Sequence, residues 1–153
     1  REIRFLVMIQ CREIHNIKAF AEAFVSNMIE PAGTVWNANS DSLTIAFRIM
    51  RDAFDFTSAL HQHLKSKSLL PEAKIVVHVG PVVILENESH PIHGDQLDIM
   101  NQLAAIAVAG NSYATDSLAM TASLPPGSYS FEYAGRVDID NLSITQDLFR
   151  IHL

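Results

Sequence analysis

Thr34-Val-Trp-Asn-Ala-Asn-Ser-Asp-Ser-Leu-Thr-Ile-Ala-Phe47 reads as two short strands meeting at a tight polar turn, with Asn39-Ser40-Asp41 at its tip. Val35 and Trp36 lead into the turn. Leu43, Ile45 and Phe47 lead out at a spacing of two, which sends alternate side chains to one buried face of a β-hairpin. Asn and Ser suit such a turn because their short polar side chains hydrogen-bond the local backbone and Asn tolerates positive φ. The reading puts Asp41 at the exposed tip. A carboxylate on a rigid hairpin can hold a hard cation or a hydroxyl, although most turn aspartates only satisfy their own backbone. Trp36, just before the turn, has two readings: the anchor of an interface, or a ring that caps the core of its own protomer.

Upstream of the hairpin, Ile3 to Gln10 is a nearly continuous apolar run and predicts a central strand covered on both faces. Ile17, Phe20, Ala21, Phe24 and Met28 recur at three and four, predicting an amphipathic helix over about 13–28 that Pro31-Ala-Gly33 ends. Downstream, Ala53, Phe56, Ala59, Leu60 and Leu64 predict a second helix. Ala73 to Gly80 predicts a buried strand, and Gly80-Pro81 then reads as a break before Val82 to Leu85, making a second hairpin. After a polar loop from Glu86 to Gly94, a third helix is predicted from Asp95 through Ile99, Leu103 and Ile106 to a stop at Gly110. The tail predicts a short strand, a short helix around Asp116 to Ala122 and two late strands near Tyr129 to Tyr133 and Leu148 to Leu153, with Pro125-Pro-Gly127 forcing a loop. This order predicts an α+β fold: a mostly antiparallel sheet with helices packed on it, a ferredoxin-like core and a small α/β C-terminal extension.

The 153 residues, 48% of them hydrophobic, fit one domain, 1–153, with a full core. The chain opens at Arg1 almost directly into a strand, and the expectation is a domain cut from a longer multidomain polypeptide. A net charge of −6, with no basic run interleaved with aromatics, argues against nucleic acid as a partner. The single cysteine, Cys11, excludes an internal disulfide and a cysteine-rich zinc site, and a reduced, cytoplasmic protein is expected. No apolar run reaches bilayer-spanning length, so this domain is expected to make no membrane contact.

The histidines form no convincing ligand set. His61 and His63, two apart on a predicted helix, point to different faces and read as solvated side chains. His90 and His93 share a loop with Glu86, Glu88 and Asp95 but lack metal-site spacing. His78, in a buried strand, reads as a hydrogen-bonded core histidine. No Ser/His/Asp or Cys/His motif and no glycine-rich phosphate loop is present.

Taken in order, these strings resemble one family, the class III nucleotide cyclase catalytic domain shared by adenylyl and guanylyl cyclases. The resemblance spans nearly the whole chain. It is carried by Val7 to Gln10 as the first strand, Ser40-Asp41 through Phe47 as the hairpin, Ile75 to Val82 as the strand-Gly-strand segment, His93 to Leu103 as the Gly-x-x-Val-Asn-x-Ala-x-Arg-Leu helix, and Phe131-Glu-Tyr-Ala-Gly135 through Ile151 as the closing strands. In that family two carboxylates hold two divalent cations, which activate the ribose 3′-oxygen and stabilise the departing pyrophosphate.

By this resemblance the two metal-binding positions fall on Gln10 and Asp41, and only Asp41 is a carboxylate. A neutral amide offers one weak carbonyl ligand and cannot neutralise Mg²⁺ or Mn²⁺. The adenine-reading Lys falls on Asn37 and its partner on Pro91, which has no side-chain donor or acceptor. The ribose-positioning Asn falls on Asp98 and the transition-state Arg on Gln102, so an anion stands where triphosphate charge would develop. The turn after the first strand reads Cys11-Arg-Glu13-Ile-His15, and Glu13 there repels phosphate.

The resemblance therefore implies a degenerate cyclase-homology domain with a regulatory or dimerisation role in signal transduction and no cofactor. Its expected partners are a second copy of itself or another cyclase-like domain, and the neighbouring domains of its own chain. Two rivals stand beside it. One is an active adenylate or guanylate cyclase using Mg²⁺ or Mn²⁺ on Asp41 with Asp98 or Glu13. The other is a small-molecule sensor of similar topology with a closed apolar pocket inside one protomer.

Overall fold

The computed structural model describes residues 1–12, 19–20, 23–24, 35–39, 41–123, 129–139 and 142–152. Its strands are β1 (Glu2–Cys11), β2 (Val35–Ala38), β3 (Ser42–Phe47), β4 (Ala73–Ile84), β5 (Ile92–His93), β6 (Ser112–Thr115), β7 (Ser130–Ile139) and β8 (Ile144–His152). Its helices are α1 (Met50–Ser66), α2 (Asp95–Ile106) and α3 (Asp116–Ser123), with a 3-10 turn at Leu70–Glu72. The strands run in the order β2-β3-β1-β4-β6-β8-β7, and β5 pairs with the far end of β4. Every pairing is antiparallel except β4 with β6. This is the α+β class that the order of apolar segments predicts.

β1 is apolar throughout because it feeds two cores. Val7, Ile9 and Cys11 face one side with Ile45, Phe54, Leu60 and Ile75, while Leu6 and Met8 face the other with Val76, Ile99, Met100 and Leu103. α1 covers the first side with Ala53, Phe54, Phe56, Leu60 and Leu64, recurring at three and four. α2 covers the second. Its start is set by Gly94, whose φ of 131° is open only to a residue without Cβ. Residues 19–20 and 23–24 are helical, and the rest of the helix predicted for 13–28 lies outside the described residues, as does the Pro125-Pro-Gly127 loop.

Three expectations are corrected. Gly80-Pro81 does not break the chain into a hairpin: β4 runs unbroken from Ala73 to Ile84, pairing with β1 from Cys11↔Ala73 to Glu2↔Val82. On its other side β6 stops opposite Val77 and β5 begins opposite Val83, so Pro81, without an N–H, falls where that edge has no strand neighbour. The true partner of the β4 end is β5. Secondly, α2 ends at Ile106, and Gly110, at φ 91°, turns the chain afterwards and donates its N–H to Ala73 O. Thirdly, the late strands are longer than predicted. β7 and β8 form a ribbon held by polar pairs, Arg136 to Asp147 at 3.0 Å and Arg150 to Glu132 at 2.6 Å, and a bulge before Gly135 shifts the register. Apolar alternation therefore fades where the strand continues.

The β2–β3 hairpin is as predicted, with Trp36 opposite Ile45 and Ala38 opposite Leu43. The Trp36 ring packs on the first core of its own protomer. The ring is half-buried and makes the contact that the capping reading requires.

Candidate functional site

The register of three strands decides what meets at one corner of the sheet. Gln10, the penultimate residue of β1, stands opposite Ser42 of β3 and opposite Lys74 of β4. Cys11 N–H donates to Asp41 O at 3.0 Å, which ties the hairpin turn to the end of β1. Gln10, Arg12, Asp41, Glu72 and Lys74 line one cleft of about 460 Å³. Gln10 and Asp41, which the sequence places on separate segments, are thus brought side by side at the same end of the sheet. Gln10 is half-buried, and Asp41 is exposed, as predicted for the turn tip.

Lys74 is the residue that sequence reasoning missed. Its Nζ donates to Ala104 O at 3.0 Å, on the last turn of α2, where carbonyls lack intrahelical partners and the helix dipole favours a cation. The strand register is the signal that would have found it, because Lys74 is two residues before Val76 on the face that α2 covers. Among the described residues Asp41 and Glu72 are the carboxylates that line the cleft, and no group of three or more His, Cys, Asp or Glu able to hold a metal ion occurs. The described donors do not make a set for two divalent cations: Asp41 at the hairpin turn and Glu72 on the 3-10 turn share the cleft with a neutral amide, a guanidinium and an ammonium.

Solved structures of similar shape match the chain from end to end. An adenylate/guanylate cyclase/hydrolase from Silicibacter pomeroyi is 16% identical with a TM-score of 0.69, covering 100% of this chain and 99% of that one. The guanylate cyclase domain of RhGC from Catenaria anguillulae, solved with GTP, is 11% identical with a TM-score of 0.72, covering 99% and 96%. The fold is that of the class III cyclase catalytic domain. A dimeric guanylyl cyclase domain of the RhoGC fusion protein from Blastocladiella emersonii is also similar, 11% identical with a TM-score of 0.71, covering 99% and 96%. No family model and no curated protein sequence matches the chain.

Asn37, Pro91, Asp98 and Gln102 are not among the residues lining the cleft. Asn37 is on β2, and its side chain bonds both backbone groups of Ile92: Nδ2 donates to the carbonyl at 2.9 Å, and the Ile92 N–H donates to Oδ1 at 3.0 Å. Pro91, the partner position, is buried immediately before Ile92. The two are therefore brought together through Ile92, with the Asn37 amide already engaged. Asp98 and Gln102 are one turn apart on α2, so they share a side of the helix. Asp98 is exposed and Gln102 half-buried. Glu13 and His15 lie outside the described residues.

The histidines divide differently from expectation. His78 is a core histidine as predicted: Nδ1 meets Thr115 Oγ1 at 2.6 Å and Nε2 meets Gln96 Oε1 at 2.5 Å. An amide oxygen only accepts, so Nε2 carries the proton and Thr115 donates to Nδ1. Burial lowers its pKa below the usual histidine value, against smaller opposing effects of the Gln96 hydrogen bond and Asp116. His61 and His63 are half-buried rather than solvated. The ring of His63 lies 5.6 Å from Phe20 and 5.1 Å from Phe24, residues that pack onto α1 from far along the chain. His93 pairs with Glu88 at 2.6 Å, and His90 Nε2 meets Ala38 O at 3.1 Å, so each has a partner within the loop or on β2.

Proposed function

We infer that this domain keeps the cyclase fold without the cyclase reaction and acts in signalling by pairing with a second cyclase-like domain. The observation that carries this reading is the neighbourhood of Asp41. In-line attack on the α-phosphate needs a metal-activated 3′-oxygen and a neutralised pyrophosphate, and two carboxylates are needed to hold the two cations. Here the other matched metal position falls on Gln10, which stands opposite Ser42, the residue after Asp41, and offers a neutral amide. Asn37 and Pro91 support the same conclusion, since neither offers a free group to select a base. Asp98, an anion on α2, opposes rather than stabilises charge developing on a triphosphate.

Pairing is supported by the Blastocladiella emersonii domain, which is dimeric in its crystal. The cleft is lined mainly by charged and polar side chains, unlike the closed apolar pocket of a small-molecule sensor. Among the described residues no helix is long and apolar enough to cross a membrane, and the reading places the domain on the cytoplasmic side of any larger protein.

The test is direct. The purified domain is incubated with ATP or GTP and Mg²⁺ or Mn²⁺, and cyclic AMP and cyclic GMP are measured. Losses of about 10²-fold or more per missing electrostatic contact predict product at background. Protein-dependent product that disappears in Asp41→Ala would show an active enzyme instead. Sedimentation of the wild-type domain tests the pairing, and a monomer at high concentration would overturn self-association.

A further inference from the structure

β7 closes the sheet at the end opposite β2 and pairs with β8 alone. Its other edge carries a row of outward N–H and C=O groups that no strand among the described residues takes up. Folded domains blunt such an edge with Lys, Pro or a bulge. Ser130 to Ile139 contains neither Lys nor Pro, and its bulge falls between Tyr133 and Gly135. Beyond the bulge the stretch from Gly135 to Ile139 is regular, paired without interruption from Leu148 to Ile144. Within it Val137 and Ile139 pack on the second core, so Arg136 and Asp138 stand on the opposite face, both exposed.

We propose that this edge is a contact between two copies of the chain, which add β7 to β7 antiparallel about a two-fold axis at Val137. Symmetry and charge together set the register. A two-fold axis normal to the sheet keeps each face on its own side, so residues directly opposite must share a face and the strands can slip only by two residues at a time. A pairing centred on Arg136 sets two guanidiniums against each other, and one centred on Asp138 sets two carboxylates against each other. Centred on Val137, Arg136 of each copy lies opposite the partner's Asp138. Arg136 Nε already donates to Asp147 of β8 at 3.0 Å, so charge alternates in sign along a row from Asp147 through Arg136 to the partner's Asp138. The short regular stretch and its exposed ion pairs make this a weak, salt-sensitive contact. It lies at the opposite end of the strand order from the hairpin that carries Asp41. The contact is thus separate from a pairing at the cleft and does not depend on whether the domain turns over nucleotide.

Sedimentation equilibrium over a range of protein and salt concentrations tests the edge. Expected is a reversible dimer that weakens as salt rises. Asp138→Lys, which keeps the bond from Arg136 to Asp147, sets cation against cation twice and should weaken the dimer about tenfold or more. Arg136→Glu sets anion against anion and should do the same. An equimolar mixture of the two variants opposes cation to anion at both positions and should associate as well as the wild type. Val137→Cys places two thiols at the axis, where mild oxidation should link them, Cys11 being buried. This variant stands in if Arg136→Glu, which loses the bond to Asp147, misfolds. A wild type that stays monomeric at high concentration, a dimer indifferent to Asp138→Lys, a mixture no tighter than either variant alone, or no disulfide in Val137→Cys would each overturn the edge contact. An indifferent dimer would leave pairing through another face, as read above. Cyclic nucleotide made by the wild type would overturn the inactive reading and leave this contact as it stands.

Discussion

Around Gln10 and Asp41 the polar side chains remain in an open cleft, whereas around Asn37 the polar groups are spent on holding β2 to β5. Both regions lie on the side of the sheet that α2 covers, and both carry an amide where the resemblance calls for a charged residue. They differ in what the amide does. Gln10 lines a cleft with Arg12, Asp41, Glu72 and Lys74. Asn37 closes a strand edge with two hydrogen bonds to one residue. A position can thus fall silent in chemistry and stay silent in structure, or fall silent in chemistry and become part of the fold. The two cases predict different costs of substitution.

The largest effect is expected behind both regions, at the buried His78, which bonds Thr115 of β6 and Gln96 of α2. Thr115→Val removes the donor to buried His78 Nδ1 and should cost about 1–3 kcal/mol in urea unfolding. The same histidine sets a pH dependence. Its folded pKa is lowered, chiefly by burial, so the neutral form is favoured in the native state. The contribution is full above the unfolded value of about 6.5 and is lost as pH falls below it toward the folded pKa. His61, lowered by burial and by Lys65, acts in the same direction. Wild type should therefore lose stability as pH falls below about 6.5, and His78→Gln should flatten that slope. A slope unchanged in His78→Gln would remove the buried histidine as its source.

Next in size is the stitched region. Asn37→Ala leaves the Ile92 N–H and carbonyl without their partners and should cost about 1–2 kcal/mol. A loss near zero would mean that water replaces the carboxamide fully and that the two regions do not differ as drawn here.

The cleft should give the smallest effects. Lys74→Met removes a cation from the last turn of α2 and should cost about 0.3–1 kcal/mol. Gln10→Ala should stay within about 0.5 kcal/mol, as for substitutions outside the core. Gln10→Asp should not raise cyclic nucleotide above background even with Mn²⁺, because Asn37, Pro91, Asp98 and Gln102 remain. Measurable product in that variant would show that a single carboxylate separates this domain from catalysis.

The parts of this protein that could be read without coordinates are those whose signal is local. Leu43, Ile45 and Phe47 alternate, so β3 and its turn follow from a period of two, and Ala53, Phe56, Leu60 and Leu64 recur at three and four, so α1 follows from the helical period. The order of those segments, with the strings that resemble cyclases, also carried the α+β architecture and the closeness of Gln10 to Asp41. Tertiary structure alone decided the rest. β4 passes through Gly80-Pro81 because neither β5 nor β6 reaches that point on its open edge, which no local propensity reveals. β7 and β8 extend through cross-strand ion pairs that have no apolar period. Lys74 finds Ala104 across 30 residues, and Asn37 finds Ile92 across 55. A hydrogen bond between distant residues depends on where two backbones are brought by the topology, and an Asn in a strand reads the same whether its amide faces water or fills the edge of another strand.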